Sequence, residues 1–225
     1  MAGAWAESGD GLRSLRLLGV IMALIDVRRC LQPPARPKDA GSPPPWAAAE
    51  AALGISYPRD FQQFITIYGS GTIGGVIEVL NPMAVDWSDA AAFETLPHSL
   101  DAVLATVSPF GNARETWLYG LASTLAAFNG GESRMLNVRG IPVPARPWPE
   151  RPGLFPWGRG DDGQALLWWT DGDPEQWQVI LADPSEELRA YSMDMTGLLA
   201  GWLSGSVTLD YLPRASKPYF IRDGR

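Results

Sequence analysis

Residues 57–80 read YPRDFQQFITIYGSGTIGGVIEVL, and the order of their patterns decides the fold. Phe61, Phe64, Ile65 and Tyr68 recur at the i, i+3, i+4, i+7 spacing of a helix with one buried face, and Pro58 suits its first turn. Gly69 is placed to stop that helix. Val76 to Leu80 then read as a strand, closed by Asn81-Pro82. Gly69, Gly71 and Gly74 spell G-x-G-x-x-G, the fingerprint of a dinucleotide-binding turn. That turn needs a strand before the glycines and a helix after them, so that phosphate meets a helix N-terminus. Here the order is reversed, and phosphate would face the negative end of the helix dipole. The glycines therefore read as a helix cap and turn, and no nucleotide cofactor is expected.

Upstream, Trp46, Ala49 and Leu53 mark one side of a short helix stopped by Gly54. Residues 33–45, PPARPKDAGSPPP, form a Pro-rich linker. Before it, nine residues from Leu17 to Ile25 are almost wholly apolar. No small-residue cleavage site follows them, and nine residues do not span a bilayer. They read as a structural helix with Leu17, Ile21, Leu24 and Ile25 on one face, and Met22 offers an alternative start to Met1.

Downstream, residues 83–150 read as a helical insertion. Asp89 to Ala105 has modest periodicity, and Trp117, Leu121, Leu125 and Phe128 form a clearer stripe ended by Asn129-Gly130-Gly131. Residues 141–156, IPVPARPWPERPGLFP, read as a Pro-studded connection. Asp161-Asp162-Gly163 is a hairpin turn leading into a strand over Gln164–Thr170. Both faces of that strand are apolar, with Ala165, Leu167 and Trp169 on one and Leu166 and Trp168 on the other, so either it is central and covered on both sides or Trp168 lies in a binding surface. Trp177 to Ala182 and Leu188 to Tyr191 add strands. Met195, Leu198, Leu199, Trp202 and Leu203 make a closing helix ended by Gly205. Helices, antiparallel hairpins and a final helix give an α+β class. The expected domain spans 46–205, with 1–45 a helix and linker and 206–225 a tail.

The chain carries a net charge of −7, with eight Asp/Glu and no Lys or Arg between Gly160 and Leu188. Such a surface repels nucleic acid, and it serves either solubility alone or steering toward a basic partner. One Cys and one His exclude a disulfide framework, a Cys-based zinc site and a His-based triad, and fit a reducing cytoplasm. Asp161/Asp162 and Asp171/Asp173/Glu175 are paired carboxylates in turns. General acid–base work needs a buried carboxyl of raised pKa, and a calcium loop needs more oxygens at fixed offsets, so neither catalysis nor a metal is expected. The acids read first as ordinary turn chemistry; the alternative is a partner-facing acidic surface, for which Trp168 or Trp177, if exposed beside the carboxylates, is the aromatic anchor. His98, Ser192 and Cys30 lack companions for chemistry.

Two blocks of the sequence, AAAEAALGISYPRDFQQFITIYGSG (47–71) and PWGRGDDGQALLWWTDGDPEQWQVILAD (156–183), resemble the SUKH superfamily, which includes a fungal cell-wall synthesis regulator and many bacterial toxin-immunity proteins. The resemblance implies a twisted, mainly antiparallel sheet packed against helices. It also implies a non-catalytic cytoplasmic protein, without cofactor or membrane association, that neutralises a cognate toxin by direct binding. A basic toxin, a nuclease first among candidates, would meet Asp161, Asp162, Trp168, Asp171, Asp173, Glu175 and Trp177. The alternative within the same family is a regulatory protein–protein interaction module with no toxin.

Overall fold

A computed structural model describes residues 22–40, 46–85, 113–126, 134–183, 187–209, 211–213 and 220–222. Its helices are α1 (22–30), α2 (Trp46–Leu53), α3 (Arg59–Tyr68), α4 (Ala113–Ala126) and α5 (Met195–Ser204). Its strands are β1 (Gly71–Ile73), β2 (Ile77–Val79), β3 (Met135–Val138), β4 (Ile141–Pro144), β5 (Leu154–Gly160), β6 (Ala165–Trp169), β7 (Gln178–Ala182), β8 (Leu188–Tyr191) and β9 (Phe220–Arg222). Seven strands form one sheet in the order β8-β7-β6-β5-β2-β1-β9, and β3 and β4 make a separate hairpin. Every pairing is antiparallel. The class is α+β.

The alternation in β6 sorts its side chains between two cores. Leu166 and Trp168 join Phe155, Val179 and Leu181 in a large cluster with the buried faces of all five helices. Ala165, Leu167 and Trp169 join Leu154, Ile180 and Ala182 in a smaller cluster, covered by Leu136 and Ala145 of the β3–β4 region. A five-residue strand buried at every position can only be central, and β6 lies between β5 and β7. Phe61, Phe64, Ile65 and Tyr68 of α3 are all fully buried, as their spacing predicts.

The glycine-rich stretch holds more structure than a cap and turn. Gly69 ends α3 at φ 69°, donating its N–H to the Ile65 carbonyl, and a Cβ there would sit 2.0 Å from the Lys38 carbonyl oxygen. Gly71 begins β1, pressed against the Ile221 backbone at the β1–β9 pairing. Gly74 and Gly75, both at positive φ, turn β1 into β2. Close backbone approach and left-handed dihedrals exclude side chains here.

Both expected domain boundaries are crossed by the core. Val27 and Leu31 are fully buried in the large cluster, and Leu31 accepts a 2.7 Å hydrogen bond from the Tyr68 hydroxyl. The linker runs along Gly69, where the Lys38 carbonyl accepts the Ser70 N–H at 2.8 Å. On α1 the buried positions are Leu24 and Val27, whereas Ile25 is 38% exposed; Leu17 and Ile21 lie outside the described residues. At the other end Leu209 and Leu212 are buried and β9 extends the sheet, so residues beyond 205 are part of the domain.

The region read as a helical insertion is mixed. Trp117, Leu121 and Leu125 line the buried side of α4, while residues 86–112 and 127–133, which contain the Asp89–Ala105 segment, His98, Phe128 and Asn129-Gly130-Gly131, lie outside the described residues. The Pro-studded connection contains β4 and the start of β5. Prolines fit in β4 because of register. The Ala145 N–H bonds to the Arg134 carbonyl at 2.7 Å, so by alternation the nitrogens of Pro142 and Pro144 face away from β3, where no donor is needed.

Candidate binding surface

The five acidic residues singled out in the sequence do not form one patch. Asp161 and Asp162 sit in the β5–β6 turn, and Asp171, Asp173 and Glu175 sit in the β6–β7 connection. Successive hairpins turn at opposite ends of a sheet. β6 between Gln164 and Thr170 holds the two groups about 20 Å apart. The β7–β8 turn returns to the first end and brings Asp183 and Glu187 to the same side as Asp161 and Asp162.

The two ends differ in how their carboxylates are used. At the β6–β7 end, Asp173 caps the short 3-10 turn Pro174–Gln176 by accepting the Glu175 N–H at 3.0 Å. The carboxylate of Glu175 accepts the Arg59 N–H at 3.0 Å, taking one of the orphan donors at the start of α3 that Pro58 cannot cap. Partial burial raises the pKa of Glu175, against the pull of Arg59. These two acids hold the connection onto α3. Asp171, Asp161 and Asp162 are exposed, and Asp161 donates its backbone N–H to the Val76 carbonyl at 3.1 Å.

Neither expected aromatic anchor is at the surface. Trp168 is 1% exposed and sits at the centre of an aromatic cluster, with Phe61 edge-on at 5.0 Å and Phe155, Trp157 and Trp177 all within 6.5 Å. Trp177 is 8% exposed, and its indole N–H donates to the Gly172 carbonyl at 3.2 Å. Strand alternation sent Trp168 to the helix-covered face, so its chemistry is packing and not recognition.

A cleft of about 810 Å³ opens beside the Asp161 turn. Its floor is a cross-strand row on the sheet face that α4 borders: Thr72 of β1, Glu78 of β2 and Arg159 of β5, in mutual register. Glu78 and Arg159 form a half-buried ion pair at 2.5 Å. Tyr119, Ser123 and Thr124 of α4 form one wall, and Asp161, Gln164 and Asp183 form the rim. The alternation in Val76-Ile77-Glu78-Val79 carries the signal for Glu78 facing away from the main core, but its partner on β5 lies beyond any local pattern.

Sequence reasoning also passed over Asp60, a carboxylate 1% exposed. It joins two helices: one oxygen accepts the Phe61 N–H at 2.8 Å and the other the Thr196 N–H of α5 at 2.9 Å. Burial pushes its pKa up to about 7; Asp194 and Glu175 push the same way, and the two N–H groups pull back. An acid in a first helical turn was visible in the sequence, whereas its burial under α5 was not.

Among the described residues no group of three or more His, Cys, Asp or Glu is placed to hold a metal ion, and no helix is long and apolar enough to cross a membrane. Comparison with protein families, with curated proteins and with solved structures returns no match.

Proposed function

We propose that this chain is a non-catalytic binding protein of the SUKH immunity kind, acting in the cytoplasm by covering a basic surface of a cognate toxin domain. The observation that carries this reading is the pair Asp161 and Asp162. Both are exposed, and no hydrogen bond or ion pair among the described residues engages their carboxylates, so folding gives them no internal task. Asp161 stands at the rim of the cleft with Asp162 beside it in the same turn, next to the turn bearing Asp183 and Glu187. Acids gathered at one end of a rigid sheet raise the encounter rate with a cationic partner and fix its orientation. The partner-facing set therefore contracts to Asp161 and Asp162; Asp171 is also exposed but stands apart from them at the opposite end of β6, while Asp173 and Glu175 are kept by the fold and Trp168 and Trp177 by the core.

The test is coexpression with the C-terminal domain of any large secreted protein encoded next to this gene. Rescue of growth and a copurified complex that weakens at high salt are expected. The Asp161→Lys/Asp162→Lys variant should lose the complex while melting normally. A complex untouched by that variant would remove the acidic turn from the reading, and no complex at low salt would remove the toxin.

A further inference from the structure

A second cleft, of about 550 Å³, lies where the β3–β4 turn meets edge strand β8, and its chemistry is opposite to that of the acidic turns. Asn137, Arg139, Gln178, Arg189, Tyr191 and Ser192 line it, with no carboxylate among its lining residues. In a chain of net charge −7, a concave site lined by two guanidiniums and otherwise neutral groups is a local reversal of sign.

Three features make it a place for an oxyanion. The first is backbone. The Asp183 N–H to Glu187 carbonyl bond fixes residues 181 and 189 as a hydrogen-bonded pair, so Leu188 and Ala190 point their N–H and C=O groups away from β7. β3 packs near β8, yet no backbone hydrogen bond joins them, and these edge groups have no backbone partner among the described residues. The second is Ser192, whose hydroxyl accepts from the Nε2 of Gln178 at 3.1 Å and so keeps its own O–H proton for an acceptor in the cleft; the unpartnered Oε1 of Gln178 is itself an acceptor and adds nothing to anion binding. The third is Arg139. It occupies φ 51° in a two-residue turn with Gly140 at φ 85°, where Asn-Gly is the favoured pair. A β-turn that places Arg where Asn is more comfortable keeps a guanidinium at the mouth of the cleft against local preference. That guanidinium makes a long 3.4 Å contact with the Gln176 carbonyl, which leaves most of its five donors for another acceptor. Arg189 is engaged with Glu187 and with the Tyr211 hydroxyl, so it shapes the field and Arg139 supplies the contact.

We infer that this cleft binds an oxyanion, a carboxylate or phosphate group, with Arg139 as the principal contact and edge-strand N–H groups beside it. The reading is independent of toxin binding at the acidic turns.

The natural test is amide chemical-shift titration of the full chain with inorganic phosphate and, separately, with a short acetylated peptide of alternating Glu and Val. Saturable shifts confined to Asn137–Gly140 and Leu188–Ser192, with Kd of about 1 mM or tighter, are expected for at least one probe. A response to phosphate identifies a free oxyanion, and a response to the peptide alone identifies a carboxylate borne on an extended chain. Arg139→Asn suits the turn at least as well as Arg, so it should melt no lower than the parent and weaken binding at least tenfold. No saturable shifts with either probe, shifts centred elsewhere, or unchanged affinity in Arg139→Asn would overturn the assignment.

Discussion

Replacing Asp60 with Asn isolates one carboxyl whose ionisation opposes folding. The carboxyl is buried between α3 and α5, and Asp194, Glu175 and Asp173 are the other acids around that junction, with Arg59 the nearby cation. Its pKa rises from 3.8 to about 7 on folding, with burial the largest cause. The sign follows from linkage. Below the unfolded value both states are protonated. As pH rises from about 4 to about 7 the unfolded chain releases this proton while the folded chain keeps it, so stability falls; above about 7 the loss is complete. At about 1.4 kcal/mol per pKa unit, the full loss is about 4 kcal/mol. An Asn side chain does not titrate, and its single oxygen can accept only one of the two N–H groups, from Phe61 or Thr196. Asp60→Asn should therefore cost about 1–3 kcal/mol at pH 4–5 for the unpaired N–H, and the gap should close or reverse by pH 8. Urea denaturation of both proteins across this range gives the difference curve, from which the other carboxylates largely cancel. Parallel curves, or a parent that gains stability relative to the variant between pH 4 and 7, would refute the argument.

Gly69→Ala places a methyl against the Lys38 carbonyl at a φ of 69° and should cost at least about 2 kcal/mol in urea. Glu175→Ala should cost about 1 kcal/mol through the lost α3 acceptor and Glu175→Gln, which keeps an amide oxygen to accept the Arg59 N–H, less, while Asp162→Asn and Asp171→Asn should stay within about 0.5 kcal/mol; an effect of Glu175→Ala no larger than those of the two Asn variants would show that the capping contact carries no weight. Trp168→Ala should lose about 3–5 kcal/mol, read by the same denaturation, and a variant as stable as the parent would contradict the central place of this ring.

How far the fold was legible follows from the range of each signal. Residues 57–80 and 164–182 carry short periods, and α3, β2, β6 and β7 came directly from them, down to the division of Ala165, Leu167 and Trp169 from Leu166 and Trp168. β1, β4 and β9 were missed for a shared reason: each owes its existence to a neighbour. Gly71 is a strand residue through its pairing with Arg222 of β9, and Pro142 is tolerated only because its nitrogen faces away from β3. Leu31 and Leu212 sit in segments that Pro and charge made look like linker and tail, and only the packed core reveals that they are inside.

The proposed binding surface was legible in composition and not in arrangement, and the reason is geometric. A run of acids from Asp161 to Glu187 looks continuous along the chain, but two strands fold it into alternating ends. The meander sorts the acids by parity: turns one and three share an end, and turn two is opposite. What then separates a recognition acid from a structural one is whether an orphan donor lies within reach. The start of α3, preceded by a proline that cannot cap it, lies at the second end and takes Glu175. No such donor reaches Asp162 at the first end. A carboxylate left solvated after every nearby N–H is satisfied is the one free to meet a partner's cation, so charge reversal at Asp161 and Asp162 should abolish binding at little cost to folding, whereas reversal at Glu175 should weaken the fold first.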